Sequence, residues 1–172
     1  MVKKFCNLNC PKLYVSFSFC VYLLLLLVSL PMGWVISLLA AVALHECCHI
    51  LALKLYDVKI GCVKLYASGA YISVRDLTPS EQIVCAAAGP LGGLCAAVAF
   101  HYLPRFALCA FFQSIFNLLP FVPFDGGRIL LAFTDLLPKK IATVVVVSVR
   151  LAAIILLGYL IYLLTNGKKV VN

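Results

Sequence analysis

Two histidines, separated by three residues, enclose a glutamate in the run His45-Glu46-Cys47-Cys48-His49. Residues i and i+4 of an α-helix share one face, so both imidazoles can reach a single metal ion. The glutamate lies beside them as a candidate general base for a metal-activated water. The alternative is that these are polar side chains packed inside a helix bundle, but ionisable groups in an apolar segment are costly and are usually functional. The motif therefore predicts a zinc site with hydrolytic chemistry.

A zinc site of this kind needs a third protein ligand, and the sequence has few further carboxylates to supply it. The best candidate is Asp125, which follows an apolar segment. Two prolines precede it and interrupt regular helix, and two glycines follow it and permit a tight backbone. Broken backbone inside a membrane is tolerated where it lines a wet cavity. From these residues alone, an ordinary Asp-Gly-Gly turn at a helix end is an equal alternative.

The composition indicates that these residues act in a membrane. Of the 172 residues, 65% are hydrophobic and 12% are charged, and the mean hydropathy is +1.11. A soluble domain is about 45–50% apolar and about 25% charged, so this chain has too little polar surface for water. No internal repeat is visible, which predicts one domain over residues 1–172. The net charge of +8 comes from basic residues between apolar runs. That pattern indicates membrane orientation, not nucleic-acid binding.

Five segments are apolar enough to be transmembrane helices, which need about 20 residues. The first could be a signal peptide, but it has no small-x-small cleavage pattern and exceeds a signal core of about 7–15 residues. We therefore expect it to be retained. The predicted class is an all-α, multi-pass integral membrane protein with about five spans, at 13–30, 34–53, 83–103, 106–124 and 141–164.

The long polar connection between the second and third segments predicts a short cytoplasmic β-hairpin. Residues 58–66 and 70–75 are rich in β-branched and aromatic side chains, and Ala67-Ser68-Gly69 separates them. Next, Thr78-Pro79-Ser80-Glu81 has the signature of a helix start, with Thr as the cap, Pro at the first position and Glu three residues after the cap.

The basic residues predict a cytoplasmic N-terminus. With that orientation, ten lysines and arginines lie inside and three lie outside, which satisfies the positive-inside rule. His49 lies five residues before Lys54, about 7 Å of helix rise, and His45 lies about 13 Å before it. The metal site is thus expected inside the membrane near its cytoplasmic face, where Asp125 also falls. The inside residues are Lys3, Lys4, Lys12, Lys54, Lys59, Lys64, Arg75, Arg128, Lys139 and Lys140; the outside ones are Arg105, Lys168 and Lys169.

The two motifs together resemble those of the site-2 protease family of intramembrane zinc metalloproteases. The His-Glu-Cys-Cys-His run is followed, roughly seventy residues later, by Asn117-x-x-Pro120-x-x-x-x-Asp125-Gly126. The resemblance covers about 34–128 and is strongest to the small bacterial group typified by the sporulation protease SpoIVFB. It implies that one Zn²⁺ per chain is bound by His45, His49 and Asp125. It also implies that Glu46 is the catalytic base and that Asn117 positions or polarises the scissile carbonyl.

The resemblance further implies a function in the bacterial cell membrane. Such enzymes cleave membrane-associated proteins, such as transcription-factor or sigma-factor precursors, and the expected partners are that substrate and the lipid bilayer. One alternative is a catalytically inactive relative that binds a membrane partner, against which the complete motifs argue. Another is a zinc transporter, but that class usually distributes ionisable residues across the bilayer and contains a repeat.

Two stretches depart from the family pattern. Ala88-Gly89-Pro90-Leu91 is similar to another family motif, but Gly92-Gly93 follows where the family often has Asn. Close helix packing by small residues is the alternative interpretation of this stretch. Cys47 and Cys48 occupy positions where the family commonly has a Leu-Gly-like pair. Thiolates can bind zinc, but these two positions point partly away from the ligand face of the helix.

Overall fold

The computed structural model describes residues 13–66, 69–74 and 76–166, and within these it is mainly helical, as predicted. A short 3₁₀-helix, Ala97–His101, continues the third α-helix. The α-helices are α1 Phe17–Ser29, α2 Met32–Leu55, α3 Pro79–Ala96, α4 Pro104–Asn117, α5 Asp125–Thr134 and α6 Lys139–Asn166, and the strands are β1 Leu13–Val15, β2 Val63–Tyr66 and β3 Gly69–Ile72.

Three helical stretches of the described chain are long and apolar enough to cross a membrane: Met32–Leu55, Pro79–His101 and Lys139–Leu163. The prediction of five spans is not confirmed. Helix α1 has only 13 residues and α4 only 14, against about 20 for a full span. The first predicted segment is shortened because its first three residues form β1. The fourth is shortened because regular helix ends at Asn117, ahead of the two prolines.

The predicted start of α3 is confirmed, with a complete capping box. The Thr78 hydroxyl accepts from the Glu81 N–H at 3.4 Å, and the Glu81 carboxylate accepts from the Thr78 N–H at 2.9 Å. Pro79 occupies the first helical position, where a missing N–H has no consequence. These local bonds fix where α3 begins, and therefore which of its residues face α2.

The predicted hairpin is confirmed, and it belongs to a three-stranded sheet. β2 pairs antiparallel with β3, with Val63 opposite Ile72 and Tyr66 opposite Gly69. β1 pairs parallel with β2. The sequence did not predict β1, because its three residues belong to an apolar run that was assigned to the first helix. Several residues used in the predictions lie outside the described ranges: Ala67, Ser68 and Arg75 of the hairpin region, and Lys3, Lys4, Lys12, Lys168 and Lys169 of the charge count.

Helix α3 packs against α2, α4 and α5, and small residues allow this close contact. A Cβ on Gly92 would collide with the Cys48 sulfur, and one on Gly93 would collide with the Ser114 hydroxyl and lie 3.0 Å from the Ala110 carbonyl oxygen. The packing interpretation of the two glycines is therefore confirmed. Helix α6 packs on α5 and otherwise exposes apolar side chains, as expected of a lipid-facing helix.

Candidate metal centre

The two histidines of α2 meet the first residue of α5 at a buried point between the helices. The Nε2 atoms of His45 and His49 lie 3.1 Å apart, and they lie 3.1 and 3.2 Å, respectively, from one Asp125 carboxylate oxygen, Oδ2. Zinc bonds of about 2.0–2.1 Å in tetrahedral geometry separate neighbouring ligand atoms by roughly 3.3 Å. His45 and Asp125 are each only 4% exposed. The three groups thus fit one zinc ion.

A main-chain carbonyl sets the orientation of the second imidazole. The Nδ1 atom of His49 lies 2.7 Å from the Cys85 carbonyl oxygen. A carbonyl can only accept, so Nδ1 carries the proton and donates it. The lone pair of Nε2 then points at the other two ligand atoms, the arrangement that metal-binding histidines normally have. Sequence reasoning missed this contact, because a main-chain group 36 residues away has no signature in the sequence.

The second carboxylate oxygen of Asp125 faces a cation. Arg128 Nη1 lies 3.6 Å from Asp125 Oδ1, while Oδ2 faces the histidines. The two oxygens therefore have separate partners, and this arrangement favours binding of a metal ion through Oδ2 alone. In the sequence, Arg128 was identified only as a charge that sets membrane orientation. Its i,i+3 spacing from Asp125 was the signal that could have identified the pair.

Gly89 of α3 forms a wall against both imidazoles. A Cβ at this position would collide with His49 Nε2, and it would lie 2.6 Å from His49 Cε1 and 2.8 Å from His45 Cε1. Only glycine leaves room for the two rings in these positions. The Ala88-Gly89-Pro90 motif thus has a steric role at the site, beyond packing the helices.

The other predicted site residues, Glu46 and Asn117, border the same cavity as the three candidate ligands. The cavity measures about 640 Å³ and is lined mainly by apolar side chains of α1, α2 and α4. Asn117 donates from Nδ2 to the Gln113 carbonyl oxygen at 3.0 Å. Glu46 interacts with the main chain of Ala70 in β3. Cys48 instead packs toward Gly92, and within the described chain neither Cys47 nor Cys48 joins the ligand cluster.

A second cavity of about 290 Å³ reaches the same centre from another side. Its lining adds the polar residues Asp76 and Gln82, and it shares Glu46, His49 and Arg128 with the larger cavity. Strand β3 borders both cavities. An apolar space and a more polar one therefore meet at His49 and Glu46, which suits a site that must admit both an apolar molecule and water.

Comparison with known proteins shows which fold this chain shares. No protein-family model and no curated protein matches the sequence. A solved structure, the site-2 protease from Methanocaldococcus jannaschii, is similar with a TM-score of 0.62 and 24% sequence identity. The match covers 88% of this chain and 81% of that one. The resemblance predicted from the two motifs is therefore confirmed at the level of the fold: this chain has the fold of a site-2 protease.

Proposed function

We propose that this chain is an intramembrane zinc metalloprotease that cleaves a membrane-associated protein near the cytoplasmic face of the bilayer. The observation that carries the proposal is the ligand triangle of His45, His49 and Asp125, with Glu46 beside it, on the wall of a large apolar cavity. The fold shared with a site-2 protease supports it. The chain has all three candidate ligands and a candidate base, which argues against the alternative of a catalytically inactive relative.

The roles of the residues follow from their chemistry. Bound zinc would supply Lewis acidity that makes water a nucleophile at neutral pH. Glu46 lies next to a ligand but outside the triangle, so it is free to take a proton from the attacking water and return it to the leaving amine. Asn117 borders the same cavity, and its amide is the group that polarises the scissile carbonyl.

The substrate segment pairs with the edge of β3 that faces away from β2. A transmembrane helix hides its peptide bonds, so it must unwind before cleavage, and its backbone then needs new partners. Ser73, just after β3, turns its main-chain groups toward residues 61 and 62. By the alternation of antiparallel strands, Ala70 and Ile72 turn theirs away from β2. Since Ala70 contacts Glu46, a peptide on this edge would lie beside the catalytic base.

The site faces the cytoplasm, and the N-terminus is on the same side. The support is the excess of basic residues in the connections that hold the end of α2 and the start of α6. By the resemblance to the small bacterial group, the substrate is a membrane-bound precursor such as that of a transcription factor or sigma factor, and the membrane is the bacterial cell membrane.

The test uses the only two glutamates of the chain, Glu46 and Glu81. Glu46→Gln preserves size but cannot accept a proton, whereas Glu81→Gln makes the same chemical change in the α3 cap, away from the site. Purified protein, both variants and Asp125→Ala are assayed for zinc content. They are then incubated with membranes of the source cells, and new protein fragments are identified by mass spectrometry.

We expect about one zinc per chain in the wild type and in both glutamine variants, and a loss of zinc in Asp125→Ala. Fragment formation should fall roughly 10²–10⁴-fold in Glu46→Gln, typical of losing an acid–base group, and should be unchanged in Glu81→Gln. Equal cleavage by Glu46→Gln and wild type, or wild-type protein without zinc, would refute the proposal.

A further inference from the structure

Helix α6 carries one arginine in the middle of an apolar span. Arg150 lies eleven residues after Lys139, which is about 16 Å along the helix. A charged side chain at such a depth is costly and normally faces a protein partner. The described residues offer it a main-chain group: Arg150 Nε donates to the Pro120 carbonyl oxygen at 3.2 Å.

The acceptor lies in the loop of residues 118–124, which joins Asn117 at the end of α4 to Asp125 at the start of α5. Two prolines interrupt regular helix here, and the Phe124 N–H, which would reach the Pro120 carbonyl in a helix, instead donates to the Phe121 carbonyl. Inside a membrane no bulk water replaces that donor, and an unsatisfied carbonyl is strongly disfavoured. Arg150 supplies the missing donor from a neighbouring helix.

The loop is packed so tightly that a shift at Pro120 must reach Asp125. A Cβ on Gly126 would collide with the Leu118 carbonyl, and a Cβ on Gly127 would collide with Phe121. The loop therefore folds directly back on the first turn of α5, whose first residue is the candidate ligand. Movement of the loop is transmitted to that carboxylate because backbone contacts backbone, with no flexible side chain between them.

We propose that Arg150 is a positioning residue: its hydrogen bond to Pro120 holds the 118–124 loop so that the Asp125 carboxylate stays in register with His45 and His49. The inference rests on the proposed metal site. Helix α6 thereby has a second role in addition to spanning the membrane, because it stabilises the connection between Asn117 and Asp125. Loss of such an outer-sphere contact typically lowers metal affinity or activity by roughly 10–100-fold.

Three substitutions of Arg150 distinguish the effect of its hydrogen bond on zinc binding from the effect of its charge. In Arg150→Gln the amide nitrogen occupies the same place along the side chain as Arg Nε, so the donor is kept and the charge is lost. Arg150→Met has the same reach but no donor, and Arg150→Lys keeps the charge with its donor one atom further out. None of the three makes the span more polar, so membrane insertion should not suffer. Thr143→Val is the control, since among the described residues that α6 hydroxyl bonds the Lys139 carbonyl of its own helix.

The zinc affinity of the purified full chain and of each variant is measured by titration in competition with a chelator. The values of kcat and KM are then measured for a substrate identified in the fragment assay described above. We expect Arg150→Met to lose roughly 10–100-fold in zinc affinity, Arg150→Gln to stay within about threefold of wild type, and Thr143→Val to be unchanged. In zinc-saturated Arg150→Met, kcat should fall while KM is kept, because substrate contacts are intact.

Wild-type zinc affinity in Arg150→Met overturns the inference, and so does a loss in Arg150→Gln that Arg150→Lys does not share, because charge would then be the cause. If the methionine variant cannot be purified, the comparison of Arg150→Gln with Arg150→Lys decides: zinc affinity within about threefold of wild type in Arg150→Gln supports the inference, and a loss that Arg150→Lys does not share overturns it. A wild-type chain that binds no zinc would instead refute the proposed function, so the two failures are distinguishable.

Discussion

The wall formed by Gly89 gives the sharpest test of the metal centre, because one added carbon collides with both imidazoles. In Gly89→Ala the new Cβ would lie 2.6 Å from His49 Cε1 and 2.8 Å from His45 Cε1. Ordinary carbon–carbon contact begins at about 3.5 Å, so the rings must retreat by about 0.9 and 0.7 Å. The other side of His49 is tied to the Cys85 carbonyl at 2.7 Å, which limits that retreat.

A shift of this size is large for a metal site, whose bond lengths tolerate about 0.2 Å. We therefore expect zinc affinity to fall at least about 10-fold, or about 1.4 kcal/mol, and by more if the Cys85 bond is also lost. Affinity is measured by chelator competition on the purified protein, and thermal unfolding of the zinc-free form is followed in parallel.

Two glycines of this chain provide matched controls. Gly158→Ala adds a Cβ on α6 that would meet no other described part of the protein within 4 Å beyond its own stretch of helix, so zinc affinity and stability should stay close to those of the wild type. Gly92→Ala perturbs the same α2–α3 contact as Gly89→Ala but meets the Cys48 side chain, not a ligand. It should lower stability and leave zinc affinity nearly intact. Wild-type zinc affinity in Gly89→Ala, or an equal loss in Gly92→Ala, would refute this account of the site.

Two further predictions concern the substrate edge and the topology. Ile72→Pro removes an outward-facing N–H from β3, so cleavage should slow while zinc is retained, and Ile72→Ala, which keeps that donor, should cleave faster than the proline variant. Normal cleavage by a zinc-loaded Ile72→Pro protein would exclude the strand edge as the binding site. Reporter fusions after Tyr56 and after Lys140 should score cytoplasmic, and a fusion after Pro104 should score external. The reverse pattern would overturn the assigned orientation.

Local patterns in the sequence were enough to predict the membrane class, the start of α3 and the hairpin, and to mark His45, Glu46 and His49 as candidate site residues. Each depends on neighbours along the chain: imidazoles four residues apart share a helix face, and a Thr-Pro-x-Glu run satisfies its own helix terminus. The scarcity of carboxylates made Asp125 a candidate with an ordinary turn as an equal alternative, and the resemblance to site-2 proteases supplied its expected role and that of Asn117. The same patterns did not reveal β1, because three residues of an apolar run carry no sign of whether they will pair with a distant strand.

Only the tertiary structure decided how the site is held together. The contacts that do so join His45 to Asp125 across 80 residues, His49 to Cys85 across 36 and Arg150 to Pro120 across 30. Two of these three use a main-chain carbonyl, which every residue possesses, so no residue type marks the position in the sequence. Likewise, the sequence identifies Gly89 only as a small residue suited to helix packing, and the structure shows that it lies against both imidazoles. Residue identity determined which chemistry is possible, and long-range packing determined which groups hold it in place.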